Sequence, residues 1–396
     1  ATSRVDDNDL SGRLTWQAAR EHKISVYIAR TPHIVHQRSA TGANPSSPEA
    51  TAFYPVTPNM LAQPVWTAPV TNRLLFNAGF NYFNATQHVE RQPGVTADII
   101  PAIETSRNLA IRATPGSVGS VGTYGVRKGT AWSYRASAAY VSGSHALKTG
   151  LTLRQGTDDA QRDVNGAMDV SLRNGVPIQL TLIASPYRTI DHLKADLGLY
   201  AQDQWTLQRA TLNLGLRYDY FTGGNGAVDI PAVRFAAARK FPQIDGQVRW
   251  NDLSPRMGVA LDLFGDGKTA LKVDVGRYVL SDGTAIMSSL NPVVASVLTA
   301  TRNWTDTNAD YIPNCDFTNA AQNGECGPLS NQNFGKANPN ATVFSDDIRY
   351  GHGVRPYNWD SAVTLQRELM PSVSLMAGYY RRWYGNFRAT DNAAVT

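Results

Sequence analysis

Residues 197–220, LGLYAQDQWTLQRATLNLGLRYDY, decide the fold, because two alternating strands and a very short polar turn can be followed in them residue by residue. The second half places apolar and aromatic side chains on one face, at Leu212, Leu214, Leu216, Tyr218 and Tyr220. Its other face carries Thr211, Asn213, Gly215, Arg217 and Asp219, a strict period of two. A run of about ten residues with this pattern is long enough to cross a bilayer when tilted. The stretch is typical of a transmembrane β-hairpin.

The first half of the hairpin alternates less cleanly and ends at Trp205, where an indole ring suits the headgroup level of a membrane. Soluble β-sandwiches and propellers also contain single hairpins of this kind. Repetition along the chain must therefore decide between a membrane barrel and a soluble sheet.

The same unit of a strand, a short turn and a strand recurs six times. The predicted pairs are 10–19 with 22–31, 62–69 with 74–82, 134–140 with 147–153, 197–205 with 211–220, 257–263 with 271–275, and 359–365 with 373–379. Long polar segments separate the units, chiefly 32–61, 85–128 with the run GSVGSVGTYG at 116–125, 157–191, and 281–356. Short turns at one end and long loops at the other are the asymmetry of outer-membrane barrels.

The face opposite the apolar one repeatedly carries charge, at Arg135, Lys148, Arg154, Arg217, Asp219, Arg256, Asp262, Lys272 and Asp274. A soluble sandwich could not bury such a row between its sheets without partners. A barrel turns this face to a polar lumen. Two roles stay open for the arginines: they line an anionic solute's path or contact a plug, or they form ion pairs with luminal aspartates that stiffen the wall. We favour the ion pairs.

Composition bounds the class of protein. The 396 residues are 42% hydrophobic and 17% charged, and no window holds eighteen consecutive apolar residues, so a transmembrane helix is not predicted. The net charge of +5 is spread along the chain, which gives no nucleic-acid footprint. The start, ATSRVDDNDL, has no initiator Met and no signal-peptide pattern. We expect either a removed signal peptide or a chain that begins within a longer protein.

Two cysteines, Cys315 and Cys326, lie in a polar segment rich in Asn and Gly. A single close pair in such a loop favours a disulfide in an oxidising compartment over two unrelated thiols. No His or third Cys stands nearby to complete a zinc site.

No catalytic or cofactor-binding constellation is present, and we predict that the chain is not an enzyme. His33 and His36 lack a third ligand, and we expect no metal site there. Asp306, Asn308 and Asp310 resemble the start of a calcium loop, but Tyr311 stands where that loop needs glycine. A solvated loop is the simpler interpretation, with a calcium site of another type as the alternative. Three aromatic residues in the loops could contact a ligand, although they could equally pack on each other: Trp304, Tyr311 and Phe334.

Several stretches resemble the barrel of TonB-dependent outer-membrane receptors, and more narrowly the Oar-like branch that has an N-terminal carboxypeptidase-regulatory-like domain. They are YAQDQWTLQRATLNLGLRYDYF at 200–221, WNDLSPRMGVALDLFGDGKTALKVDVGRYV at 250–279, PNCDF at 313–317, NGECG at 323–327, and YNWDSAVTLQRELMPSVSLMAGYYRRWYGNF at 357–387. The resemblance implies a barrel of twenty-two strands closed by a plug, with a TonB box that couples to an inner-membrane energy-transducing complex. It also implies a Gram-negative outer membrane, with lipid and lipopolysaccharide around the wall.

From these observations we expect an all-β chain, residues 1–396 being a single segment of an antiparallel transmembrane β-barrel. We expect that about twelve strands of a larger barrel are visible and that the plug, the regulatory-like domain and the C-terminal strands are absent; the alternative is a true twelve-stranded barrel. The predicted function is energised uptake of an unidentified extracellular solute, with no cofactor, no nucleic-acid partner and no ligand-binding residues assigned. A surface-structural, adhesion or export-assisting barrel is the alternative, and a soluble β-sandwich lectin or enzyme is the third.

Overall fold

The computed structural model describes residues 4–38, 45–116 and 123–392. In chain order its strands are β1 Val5–Asp7, β2 Leu10–Ala19, β3 His22–Arg30, β4 His33–Arg38, β5 Ala52–Pro69, β6 Leu74–Val89, β7 Ala102–Glu104, β8 Leu109–Ile111, β9 Tyr124–Ser142, β10 His145–Asp163, β11 Met168–Arg173, β12 Val176–Ile183, β13 Tyr187–Leu207, β14 Ala210–Asn225, β15 Val228–Ile230, β16 Arg239–Phe241, β17 Ile244–Asp262, β18 Thr269–Val279, β19 Thr299–Asn303, β20 Tyr350–His352, β21 Tyr357–Met370 and β22 Val373–Gly385. Two short helices, α1 Ala285–Ser289 and α2 Asp346–Arg349, lie in the last long connection.

Twelve of these strands form the wall: β2, β3, β5, β6, β9, β10, β13, β14, β17, β18, β21 and β22. Each is hydrogen-bonded antiparallel to the next along the chain. They are the twelve predicted strands, so the all-β antiparallel fold is confirmed. Within the described ranges β2 pairs only with β3 and β22 only with β21, so both strands are edges of the sheet.

The register of the wall separates an apolar outer face from a polar inner face. Leu214 shares the outer face with its cross-strand partners, Met257 on β17 and, close to the short β13–β14 turn, Asp203 on β13. Leu214 and Leu216 are 45% and 52% exposed on this face, which lipid contacts in a transmembrane barrel. Asp219, on the other face of the same strand, is only 4% exposed. The predicted alternation of β14 is therefore present in the structure.

The wall strands are longer than the sequence predicts, and the predicted loop boundaries are wrong at one end. Strand β13 has 21 residues, although only 197–205 alternate visibly in hydropathy. The segments predicted as loops at 32–61, 85–128 and 157–191 contain the upper parts of β5, β6, β9, β10 and β13. Beyond the bilayer both faces of a strand meet water, so the ladder continues while the hydropathy signal stops.

The long connections meet at the same end of the wall and fold into the cap, which we define as the sheet β19-β12-β11-β7-β8 together with the loop 304–326. The connection 90–123 supplies β7 and β8, 164–186 supplies β11 and β12, and 280–356 supplies β19. Its buried core consists of Ala102, Met168, Val170, Leu180, Leu182, Trp304 and Cys326. Of the predicted loop run at 116–125, residues 117–122 lie outside the described residues.

Among the residues that the structure describes, no helix has both the length and the apolar character needed to cross a membrane.

Candidate functional site

The cap contains a carboxylate, Glu104, that joins two of its connections. Its Oε1 accepts a hydrogen bond from the backbone N–H of Asn174 (3.0 Å) and its Oε2 one from Gly175 N–H (2.9 Å), both in the β11–β12 turn. Ser106 donates to the same carboxylate from its hydroxyl and its N–H. The Ser106 hydroxyl and the backbone N–H groups lower the pKa of Glu104 to about 2, because they stabilise the charged form.

A second carboxylate, Glu325, organises the loop 304–326. It accepts hydrogen bonds from Thr307 N–H (2.8 Å), the Thr307 hydroxyl (2.7 Å) and Asn314 N–H (3.2 Å). The donors on Thr307, its N–H first, lower the pKa of Glu325 to about 2. One carboxylate thus fixes the two ends of this loop against each other.

The predicted cysteine pair lies in the same loop. Cys315 and Cys326 are joined in the structure, with their Cα atoms 5.8 Å apart, and Cys326 is buried in the cap core. The oxidation of these thiols in the cell stays a prediction.

The segment that resembles a calcium loop uses its polar side chains on its own backbone. Asp306 accepts a hydrogen bond from Tyr311 N–H (3.1 Å), Asn308 accepts one from Asp310 N–H (3.2 Å), and Asp310 accepts one from Ile312 N–H (2.7 Å). In the part of the chain that the structure describes, no group of three or more His, Cys, Asp or Glu side chains is placed to hold a metal ion. The geometry therefore gives the calcium alternative no support.

The two histidines near the first hairpin each face an aspartate of β1, which sequence reasoning missed. His33 Nδ1 lies 2.6 Å from Asp7 Oδ1, and His36 Nε2 lies 2.7 Å from Asp6 Oδ2. Strand β1 pairs with β4 and brings the four side chains together. The contacts are hydrogen-bonded pairs that tie the start of the described chain to the wall.

The aromatic loop candidates differ in their surroundings. Trp304 is buried in the cap core, and Phe334 packs against that core. Tyr311 is 56% exposed. Of the three, only Tyr311 presents most of its ring to an approaching molecule.

The last long connection is anchored to the inner wall by buried charges, which we name the junction network: Arg355, Asp252, Asp196 and Arg277. Arg355 Nε lies 3.2 Å from Asp252 Oδ2, and its Nη1 lies 4.0 Å from Asp196 Oδ1. Arg277 Nη2 donates to the other oxygen of Asp252 at 3.1 Å. The side chains of Arg355 and Asp252 are 2% and 0% exposed, so this pairing is shielded from solvent.

Aromatic rings complete the anchor. The guanidinium of Arg355 lies 5.1 Å from the Phe221 ring centroid and 5.4 Å from that of Trp250, within the range of cation–π attraction. Trp250 Nε1 donates to the carbonyl of Ile348 at 2.9 Å. The connection that carries β19 is therefore fixed to strands β14 and β17.

Two of the predicted luminal arginines form ion pairs, and the role in an anionic solute's path stays a prediction. Arg154 pairs with Asp196 (Nε to Oδ2, 3.1 Å) and Arg217 with Asp219 (Nε to Oδ1, 2.7 Å), as the ion-pair interpretation expects. Asp262 departs from the prediction. It accepts hydrogen bonds from the N–H groups of Gly265 and Gly267 in the β17–β18 turn, because a carboxylate at a strand end can satisfy the turn's free donors.

The lower lumen forms a cavity of about 780 Å³ whose lining mixes both signs of charge. Lys148, Arg256 and Arg382 lie beside Asp274 and Asp360 in this lining. Asp360 is paired with Arg382 (Oδ2 to Nη2, 2.7 Å). The region offers polar contacts to an occupant but no preference for one sign of charge.

A wall with an apolar outside and a charged inside, short turns at one end and a folded cap at the other defines an outer-membrane β-barrel. The chain belongs to the outer membrane beta barrel domain family, whose model matches residues 1–381. This membership places it in the outer membrane of a Gram-negative bacterium and excludes the soluble β-sandwich.

Comparison with individual proteins confirms the resemblance to TonB-dependent receptors. The chain is 33% identical over 85 residues, 21% of its length, to the TonB-dependent transporter Oar of Myxococcus xanthus, and it covers 6% of that protein. Among solved structures it is similar to the outer membrane transporter YddB of Escherichia coli, with a TM-score of 0.52, 13% identity, and coverage of 96% of this chain and 40% of that one. It is also similar to a mutant of the ferric enterobactin receptor PfeA of Pseudomonas aeruginosa, with a TM-score of 0.50, 11% identity, and coverage of 96% of this chain and 43% of that one. The chain thus has a TonB-dependent receptor-like fold and spans less than half the length of these relatives.

Proposed function

We propose that the chain is the barrel part of a TonB-dependent receptor that takes up a solute from outside the cell with energy from the inner membrane. The observation that carries the proposal is the folded cap, fixed by the junction network above a lumen lined with charged side chains. A solute would contact the cap first and then the luminal wall. Relatives named as transporters and receptors support the proposal.

The partners follow from the same proposal. A plug from the longer protein would contact the luminal wall, where it would meet side chains of both signs such as Lys148 and Asp274. A TonB box would connect that plug to the energy-transducing complex. The barrel itself would catalyse no covalent reaction, since its role is to bind and admit a solute.

The test compares three strains of the source bacterium in a defined medium: the parent, a deletion of this gene, and a deletion of the energy transducer. We expect one or more solutes to be removed from the medium by the parent and retained in it, equally, by both deletion strains. A solute whose removal requires this gene, but which the transducer deletion removes at the parental rate, would contradict energised uptake. Loss of surface attachment or of a secreted product in the gene deletion, with no change in solute removal, would favour the adhesion or export barrel.

A further inference from the structure

At the cap end of the lumen, a small pocket is lined by three arginines. The pocket, of about 100 Å³, lies where strands β4, β5, β6, β9 and β10 meet, and Arg38, Arg127 and Arg162 project into it beside Tyr54 and Gln87. We name it the rim pocket.

The register places these side chains on the luminal face. Gln87 on β6 lies opposite Arg127 on β9, and Arg162 on β10 lies opposite Gly125 on β9. Arg38 on β4 lies opposite Ala52 on β5. Positions 125 and 127 are two residues apart on one strand and therefore share a face.

Only one of the three guanidiniums is neutralised by a carboxylate of the described residues. Arg127 Nε donates to Asp158 Oδ1 at 2.8 Å. Arg162 instead donates to the Thr189 hydroxyl at 3.3 Å, and Arg38 lies over the Tyr54 ring at 3.8 Å from its centroid.

The lining itself contains no acidic residue among those described. The neighbouring stretches of sequence, SATGAN at 39–44 and SVGSVG at 117–122, also contain no Asp or Glu. The rim pocket therefore keeps an excess of positive charge, unlike the lower lumen, where Lys and Arg stand beside Asp274 and Asp360.

We propose that the rim pocket binds the carboxylate or phosphate group of an anionic solute, an inference that rests on the proposed uptake function and names its substrate class. Guanidinium groups are planar forks of N–H donors that match the oxygens of these two groups. Arg38 and Arg162 supply the two forks that have no carboxylate partner in the described part of the chain, while Arg127 is held in place by Asp158. The small volume suits one such group rather than a whole solute, so the remainder of the solute would extend toward the cap.

The test measures anion binding to the full-length protein, purified from outer membranes in detergent, by isothermal titration at constant ionic strength. The probes are inorganic phosphate and citrate, with chloride as the anion that cannot accept a bidentate fork. We expect saturable binding of at least one oxyanion, weakened about tenfold or more in R38Q/R162Q. The charge-preserving variant R38K/R162K should bind more tightly than the Gln variant. Binding of phosphate but not of citrate would assign the rim pocket to phosphate groups. Binding of citrate but not of phosphate would assign it to carboxylates.

The matched control is R188Q, because Arg188 lies on the outer face and pairs with Asp159 (Nε to Oδ1, 2.7 Å). It should bind the probes as the unchanged protein does. Equal binding by R38Q/R162Q, binding of chloride as strong as that of the oxyanions, or no saturable binding of either oxyanion would overturn the inference. Heat-modifiable migration on gels shows that each variant is folded.

Uptake in the three strains separates this inference from the proposed function. If removal of a solute requires both this gene and the transducer but is unchanged by R38Q/R162Q, the anion site is wrong and energised uptake stands. If the purified protein binds an oxyanion through these arginines but no solute is removed in a way that requires both this gene and the transducer, the site stands and the uptake function fails.

Discussion

Strand β14 of the wall exposes Leu214 and Leu216 and buries Asp219, whereas strand β12 of the cap buries Leu180 and Leu182. The wall is thus apolar outside and polar inside, and the cap has the arrangement of a small water-exposed domain. Lipid and hydrogen-bonded strand ladders stabilise the wall. A buried core, two carboxylates and a cysteine pair stabilise the cap. One chain therefore contains two regions whose responses to the same perturbation should differ.

The largest effect is expected where the two regions meet. Arg355→Met removes one of the two guanidinium partners of the buried Asp252 and leaves it with Arg277, which should cost about 3–5 kcal/mol in folding free energy. Urea titration of the folded, heat-modifiable form measures this loss. Arg188→Met, in an ion pair whose arginine is 50% exposed, is the control and should cost at most about 1 kcal/mol.

Asp252→Asn added to Arg355→Met also takes the carboxylate from Arg277, but the contact between residues 252 and 355 can be lost only once, so the double variant should lose less than the sum of the two single losses. A double variant as unstable as the sum of both single variants would show that the junction network does not couple the cap to the wall.

Within the wall, the two faces of β14 should respond differently to the same new charge. Leu214→Arg places a cation in lipid and should destabilise the barrel by about 2–4 kcal/mol, while Asn213→Arg faces the polar lumen and should be tolerated. The yield of heat-modifiable protein in isolated outer membranes measures both. Equal losses in the two variants would mean that the assigned faces are wrong.

In the cap, replacing both cysteines with serine should loosen the loop 304–326 without changing the wall. The cross-link closes the segment 315–326, and in the chain-entropy model its removal costs roughly 2–3 kcal/mol of folding free energy. Limited proteolysis of intact cells should cut the Ser variant faster inside this loop, with an unchanged barrel band. Free thiols in freshly isolated protein, found by mass after alkylation, would remove the disulfide prediction itself.

The smallest effect is a pH dependence confined to the cap. The pKa of Glu325 is lowered from about 4.5 to about 2, so its stabilising contribution is complete above pH 4.5 and is lost as the pH falls toward 2. The protection factors of the Thr307 and Asn314 amides, which compare their exchange with the intrinsic rate at each pH, should therefore fall in this window. Glu325→Gln should exchange faster than the parent at neutral pH and lack this acid-dependent step. If Glu325→Gln gave the same pH profile of amide protection as the unchanged protein, the acid-dependent step would belong to another group.

The sequence predicts the wall far better than the cap, for a physical reason. Between Leu212 and Tyr220, lipid on one side and water on the other force a period of two, so each strand can be read from its own residues. The upper part of β13 has no such contrast between its faces, so this part of the strand could not be predicted from the sequence. The cap sheet is assembled from three connections, as in the parallel pairing of Ala102 with Val170, and local patterns carry no signal for such contacts.

The candidate site shows the same limit. Asp196 and Asp252 fit the inner face of their strands, and extending the alternation beyond the predicted ends would have found them. Arg355 lies in a connection with no periodicity, and only the fold brings it to them. Arg38 and Arg162 come from segments predicted as loops, so the rim pocket could not be foreseen from the sequence.

The length of β13 has a consequence for what surrounds the cell. About ten of its 21 residues suffice to cross the hydrocarbon core, and the remaining residues, tilted, extend about 20–25 Å beyond it. The headgroup layer is only about 5–8 Å thick on each side. The cap is therefore displayed beyond the headgroup layer of the membrane. Exchanging the cap connections between relatives should change what the cap binds, while the wall should still insert into the membrane.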